Sequence, residues 1–152
     1  MIRINALRLE HGIPLLTYDW ELSDKAQRHS DKYANKREVH FYNNSSIGTL
    51  IYRHNFGDDI NPLTMWTIDK ILVNYTKPDS TPPYLTYTQL IWKSTTKIGC
   101  GISDSNSNQG ILVLCLFYPK GNIPRQYGKN ILKPVEDDSI TKKNSMEEFS
   151  HP

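Results

Sequence analysis

The sequence predicts a single mixed α/β domain, and three patterns within it carry that reading. Residues 19–34 place Leu22, Ala26, Ser30 and Ala34 on one side of a helix, with Glu21, Asp24, Lys25, Arg28, Asp31 and Lys32 on the other. A second run, Leu63 to Tyr75, carries Trp66, Ile68, Ile71 and Leu72 at helical spacing. Two β-rich runs, Ile98 to Ser103 and Gly110 to Tyr118, flank a cluster of turn-forming residues from Asp104 to Gly110, which predicts a β-hairpin. With 152 residues, 38% of them hydrophobic and 22% charged, the chain can bury one core and has no room for a second full domain.

The remaining elements follow in chain order. Ile4, Leu7 and Arg8 fall at helical spacing before Gly12 and Pro14, so residues 1–11 read as the last turns of a helix closed by a glycine cap. Residues 36–59 are loop-rich, with one short strand expected around Ile47 to Tyr52. Pro62 stands where a helix start tolerates proline. Pro78, Pro82 and Pro83 end that helix and make residues 75–83 an exposed connection. A short helix is expected at Thr88 to Trp92. Residues 135–152 are charged with few apolar neighbours, so the domain is expected to span 1–134 and the remainder to be a disordered polar tail. No internal repeat is present.

Charge and composition exclude several classes of function. Eighteen basic residues against sixteen acidic give a net charge of +2 with no clustered basic stripe, which disfavours nucleic-acid binding. No apolar run is long enough to span a bilayer, and Met1 to Asn5 lack the basic-then-apolar pattern of a secretory leader. A cytoplasmic location is therefore expected if the chain is complete, and an extracellular one if a leader precedes it. Cys100 and Cys115 are the two cysteines, which allows at most one internal bridge. The five histidines, His11, His29, His40, His54 and His151, show no metal-binding spacing. No nucleophile elbow, phosphate-binding loop or paired-carboxylate motif is visible, so no catalytic residue is assigned.

The run from Leu85 to Thr95 with Ile98-Gly99-Cys100, and the run from Cys115 to Asn122, resemble the first and second signatures of the CAP superfamily of cysteine-rich secretory, antigen-5 and pathogenesis-related proteins. Asn5 to Arg8, His11 to Leu15 and Leu22 to Gln27 add to the likeness, which covers residues 2–133. The ending Asn130 to Pro134 and the scarcity of cysteine resemble the Golgi-associated branch, alongside the venom allergen-like proteins. The resemblance implies a three-layer α-β-α sandwich around a small, largely antiparallel sheet.

By that resemblance, two histidines and two acidic residues should face one cleft and be able to hold a divalent metal. Here the four positions are His40, Thr49, Asp69 and Thr86. Two ligands have become neutral hydroxyls, and two remaining groups fall short of the three protein ligands of even an open zinc site. No tight zinc and no cofactor are expected. His40 is expected to be partly buried and bonded within the cleft, with Asp69 capping charge or bonding Thr49. Rescue by His54, Asp58 and Asp59 is disfavoured, because an Asp pair beside Gly57 reads as a turn.

The resemblance also implies that Cys100 and Cys115 pair as in secreted relatives, a bridge worth roughly 3 kcal/mol for a loop of this size. A reducing compartment would leave two buried thiols, the favoured state if the chain is complete. Residues 75–84 take the place of a family loop implicated in sterol binding, with Tyr75, Pro78, Pro82, Pro83 and Tyr84 as candidate contacts; an ordinary loop with inward-packed tyrosines is the equal alternative. The reading that results is a non-enzymatic protein that binds a sterol, fatty acid or phospholipid, or a protein partner, with homodimerisation also open. A metal-dependent hydrolase or protease-like enzyme and a secreted immunomodulatory protein are the alternatives.

Overall fold

The computed structural model describes residues 1–54 and 60–135. Its centre is a four-stranded sheet of β1 (Thr17–Tyr18), β2 (Gly48–His54), β3 (Lys97–Asp104) and β4 (Ile111–Tyr118), in the order β1-β3-β4-β2. β1 runs parallel to β3, and β3–β4 and β4–β2 are antiparallel. Helices α1 (Ile2–Glu10), α2 (Trp20–Tyr33), α3 (Pro62–Trp66), α4 (Thr86–Leu90) and α5 (Tyr127–Asn130) complete the described elements. Side-chain alternation along β4 divides the core. Leu114 and Leu116 meet Leu22 and Ala26 of α2 on one face, while Cys115 and Phe117 meet Ile4 of α1, Trp66 of α3 and Leu90 of α4 on the other. Helices on both faces of one sheet make the three-layer α-β-α sandwich that the sequence resemblance implies.

Helix α2 is specified closely by its residues. Asp19 caps its start, its Oδ1 accepting the Leu22 N–H at 2.8 Å. β1 pairs with β3 only at Lys97 and Ile98, and α2 takes over beyond that point. Ser23 Oγ donates to the Cys100 carbonyl at 3.0 Å, and the Gln27 amide bonds both the N–H and the C=O of Ile102 at 3.0 and 2.8 Å. Side chains thus replace a missing strand, as the obligation to pair buried backbone groups demands. Close approach requires glycine: a Cβ on Gly101 would lie 2.5 Å from the Gln27 Cα, and one on Gly99 would collide with the Ser23 amide.

Helix α1 ends as the sequence predicts. Gly12 takes a left-handed φ of 65°, its N–H bonds the Leu9 carbonyl at 3.0 Å, and the Ile13 N–H reaches back to Arg8 at 3.2 Å, the paired bonds of a glycine-closed helix. Arg8 itself is fully buried. Its guanidinium donates to the carbonyls of Pro14, Leu90, Trp92 and Thr95 at 2.9–3.0 Å, tying α1 to the segment after α4. Burial lowers its pKa to about 10, so it stays charged at neutral pH.

The helix expected from Leu63 to Tyr75 is corrected. α3 stops at Trp66, and a 3₁₀ turn, Ile68–Leu72, follows. Thr67 is the C-cap: its N–H bonds the Leu63 carbonyl at 3.0 Å and its hydroxyl donates to the same carbonyl at 2.7 Å, after which the chain tightens. A 3₁₀ turn cannot keep a 3.6-residue stripe against the core, and Ile68, Ile71 and Leu72 are 62%, 86% and 52% exposed. Only Trp66 turns inward, its Nε1 donating to the Ile51 carbonyl at 3.0 Å. The short helix expected at Thr88 to Trp92 starts two residues sooner, at Thr86, and the expected hairpin strands each lie within one residue of β3 and β4. β1 and α5 are too short to leave a periodic signal. The expected disordered tail lies outside the described residues from 136 onward.

Candidate functional site

The four cleft positions separate into two pairs. Asp69, in the 3₁₀ turn after α3, directs both carboxylate oxygens at the start of α4. Its Oδ2 accepts from the Thr86 N–H at 2.8 Å and the Thr86 hydroxyl at 3.0 Å, and its Oδ1 accepts from the Tyr87 N–H at 3.0 Å. Thr86 Oγ1 also lies 2.7 Å from the Trp66 carbonyl. The carboxylate therefore satisfies N–H groups that a helix start leaves without partners. Asp69 bonds Thr86 rather than Thr49, which corrects one expectation.

The other pair sits on the strand side. Thr49 Oγ1 accepts from the Tyr42 N–H at 3.1 Å. His40 is exposed and stacks on Tyr33 with ring centroids 5.4 Å apart, while its carbonyl bonds the His29 ring at 2.6 Å. It lines an open groove of about 700 Å³ with His29, Lys32, Tyr33, Phe41 and Tyr42. The partly buried, cleft-bonded histidine expected from sequence is thus corrected. Among the described residues no hydrogen bond joins His40 or Thr49 to Asp69 or Thr86, and no group of three or more His, Cys, Asp or Glu side chains is placed to hold a metal ion. His54 is buried and bonds the Tyr52 hydroxyl at 3.3 Å, while Asp58 and Asp59 lie outside the described residues.

The candidate loop, residues 75–84, lies beside a second apolar cluster of Ile13, Tyr87, Ile91, Trp92, Tyr127 and Ile131. Tyr75 is half-buried and packs against that cluster, and burial raises its pKa. Pro78 opens a 3₁₀ turn, Pro78–Ser80, and Thr81 Oγ1 accepts the Asn74 N–H at 3.0 Å, which fixes the base of the loop. Pro82 and Pro83 are exposed, and Tyr84 is 80% exposed with a left-handed φ of 66°. The structure thus turns one tyrosine inward and the other outward. Buried His11 anchors the cluster: its Nδ1 lies 2.7 Å from the Leu132 carbonyl and its Nε2 2.7 Å from the Tyr87 hydroxyl. A carbonyl only accepts, so Nδ1 carries the proton and Tyr87 donates to Nε2. Burial pushes the Tyr87 phenol far above its ordinary pKa.

Cys100 and Cys115 stand directly opposite on β3 and β4 with Cα atoms 4.1 Å apart, and they are joined as a disulfide. Sequence reasoning missed Arg8, His11 and Tyr127 as buried polar residues. Apart from the Pro14 carbonyl, Arg8 and His11 find their partners 76 to 121 positions away, and no local pattern encodes such pairing.

Comparison with known proteins fits this architecture. The profile of the Cysteine-rich secretory protein family (CAP) matches residues 1–117. Secreted protein RBT4 of Candida albicans is 31% identical over 127 residues, covering 78% of this chain and 33% of its own length. Secreted protein PRY1 of the same organism is 30% identical over 84% of this chain and 30% of its own length, so the chain spans about a third of these relatives. The human Golgi-associated plant pathogenesis-related protein 1 is 26% identical, covering 86% of this chain and 88% of its own length. Among solved structures, Schistosoma mansoni venom allergen-like protein 4 superposes with a TM-score of 0.59 at 20% identity, covering 88% of this chain and 90% of that one. The chain belongs to the cysteine-rich secretory protein family, the CAP superfamily.

Proposed function

We propose that this is a non-enzymatic CAP-domain protein, its domain spanning residues 1–134, that binds a sterol or another lipid through residues 75–84. One observation carries the reading: a proline-stiffened loop presents Pro82, Pro83 and Tyr84 outward while its other end, Tyr75, packs against a buried apolar cluster. Flat aromatic and proline surface offers apolar contact to a rigid ligand at small entropic cost. The cleft supports the same reading, because Asp69 is occupied in capping α4 and Thr49 and Thr86 supply only neutral oxygens. Secreted and Golgi-associated relatives are compatible with either location, at a Golgi membrane or outside the cell.

Titration of the purified chain with cholesterol and other sterols tests the reading. Saturable binding that Tyr84→Ala abolishes is the expected result; no binding at any sterol sinks it. That second outcome would leave the rival, a protein-binding role or homodimer, which the exposed Met65, Ile68, Ile71 and Leu72 favour.

A further inference from the structure

Tyr127 on α5 is only 4% exposed, and its hydroxyl has no hydrogen-bond partner among the described residues. Its ring stands edge-on to Trp92 at 5.0 Å, within the cluster of Ile13, Ile91 and Ile131. A buried hydroxyl without a partner is rare, because the group forfeits its bonds to water on folding. A second irregularity lies beside it. α5 packs against the 3₁₀ turn of the loop, and the Tyr84 amide lies near the Tyr127 oxygen without meeting hydrogen-bond geometry. Tyr84 holds a left-handed φ of 66°, a conformation that costs a bulky side chain energy, and Asn122 and Arg125 ahead of α5 hold φ of 57° and 66°. An unpaired donor and a strained backbone thus meet where the loop crosses α5. Neither is improved by the contacts present.

We propose that Tyr127 is the specificity-determining residue of the loop site: its phenol donates to the hydroxyl oxygen of an otherwise apolar ligand when residues 81–85 lift from α5. The inference rests on the lipid-binding reading above and names what that site recognises. The surroundings define the ligand class. Trp92, Ile91 and Ile131 supply apolar walls, the Tyr84 backbone lies beside the phenol, and the Tyr127 hydroxyl, the one buried side-chain polar atom without a partner among the described residues, selects a single hydroxyl. Lifting the strap releases the Tyr84 backbone from its strained conformation, so opening requires less than displacing an ordinary loop.

The test compares cholesterol with cholest-5-ene, the same skeleton without the hydroxyl, on the full chain and on Tyr127→Phe. The wild type should prefer cholesterol by about ten-fold, the scale of one net hydrogen bond, and Tyr127→Phe should bind the two alike. Without ligand, Tyr127→Phe should melt at or above the wild-type Tm, since it removes a buried group that bonds nothing. A preference unchanged in Tyr127→Phe overturns this inference and leaves lipid binding standing, as does a lower Tm, which marks a structural hydrogen bond. A wild type that binds neither probe overturns both.

Discussion

Asp69 shows how one carboxylate can change employment without moving along the chain. Both of its oxygens accept from the first two amides of α4, and Thr86 adds its hydroxyl to the same carboxylate. A metal at this position would compete with the two amide hydrogen bonds already made. Calorimetric titration with zinc should therefore show no saturable binding to the native chain, whereas a double variant carrying Thr49→Glu and Thr86→His should bind. Tight binding by the native chain would show that the assignment of the four positions is wrong. The resemblance singles out Asp69 by its spacing to Trp66 and Thr86 by its place before Tyr87. Their use was not legible, because capping signals are read within three or four residues and this cap comes from 17 residues away. His40 shows the same limit: its stacking on Tyr33 depends on where the loop after α2 turns, which no local pattern specifies.

Among the elements, the contact between α2 and β3 is the least forgiving. Gly99 and Gly101 clear space for the helix backbone, while Ser23 and Gln27 bond the strand edge that β1 leaves open. Gly101→Ala should therefore destabilise by about 1–3 kcal/mol in urea unfolding, since its Cβ meets backbone rather than a side chain that can swing away. Gly128→Ala is the control: nothing lies within 4 Å of its added Cβ, and alanine favours the α5 helix. Equal effects at the two sites would refute the close-approach account. α2 was legible because its apolar stripe does become its buried face, and the hairpin because its turn residues cluster. The sequence pattern overextends α3 because Ile68, Ile71 and Leu72 satisfy helical periodicity, yet the chain passes into a 3₁₀ turn at Ile68 and leaves them exposed.

For the molecule as a whole, alkaline pH should be the weakness. Burial raises the pKa of Tyr75, Tyr87 and Tyr127, so the unfolded chain releases those protons first, near pH 10. Stability they contribute is complete below that pH and is lost as pH rises toward their folded values. Arg8 acts oppositely: its folded pKa is lowered to about 10 from 12.5, so its penalty fades over the same range. Three groups against one leave a net loss. Urea unfolding between pH 8 and 11 should show stability falling above pH 10, and Tyr87→Phe should flatten that slope; an unchanged slope in the variant would count against the buried-tyrosine account. The three-layer fold was legible from the family signatures and from the independent helix and hairpin patterns, whereas the buried polar ties between distant segments were not. Those ties govern the order of assembly. Arg8 leaves the ribosome well before three of its four carbonyl partners, those of Leu90, Trp92 and Thr95, which follow 82 to 87 residues later. At a translation rate of about 5–20 residues per second, α1 waits on the order of 4–17 s for them. His11 waits longer still, for Leu132. Until then α1 is a cationic, half-apolar helix with nowhere to dock, so a segment made before its partners is among the last to fold, and chaperones or neighbouring chains have their widest opportunity there.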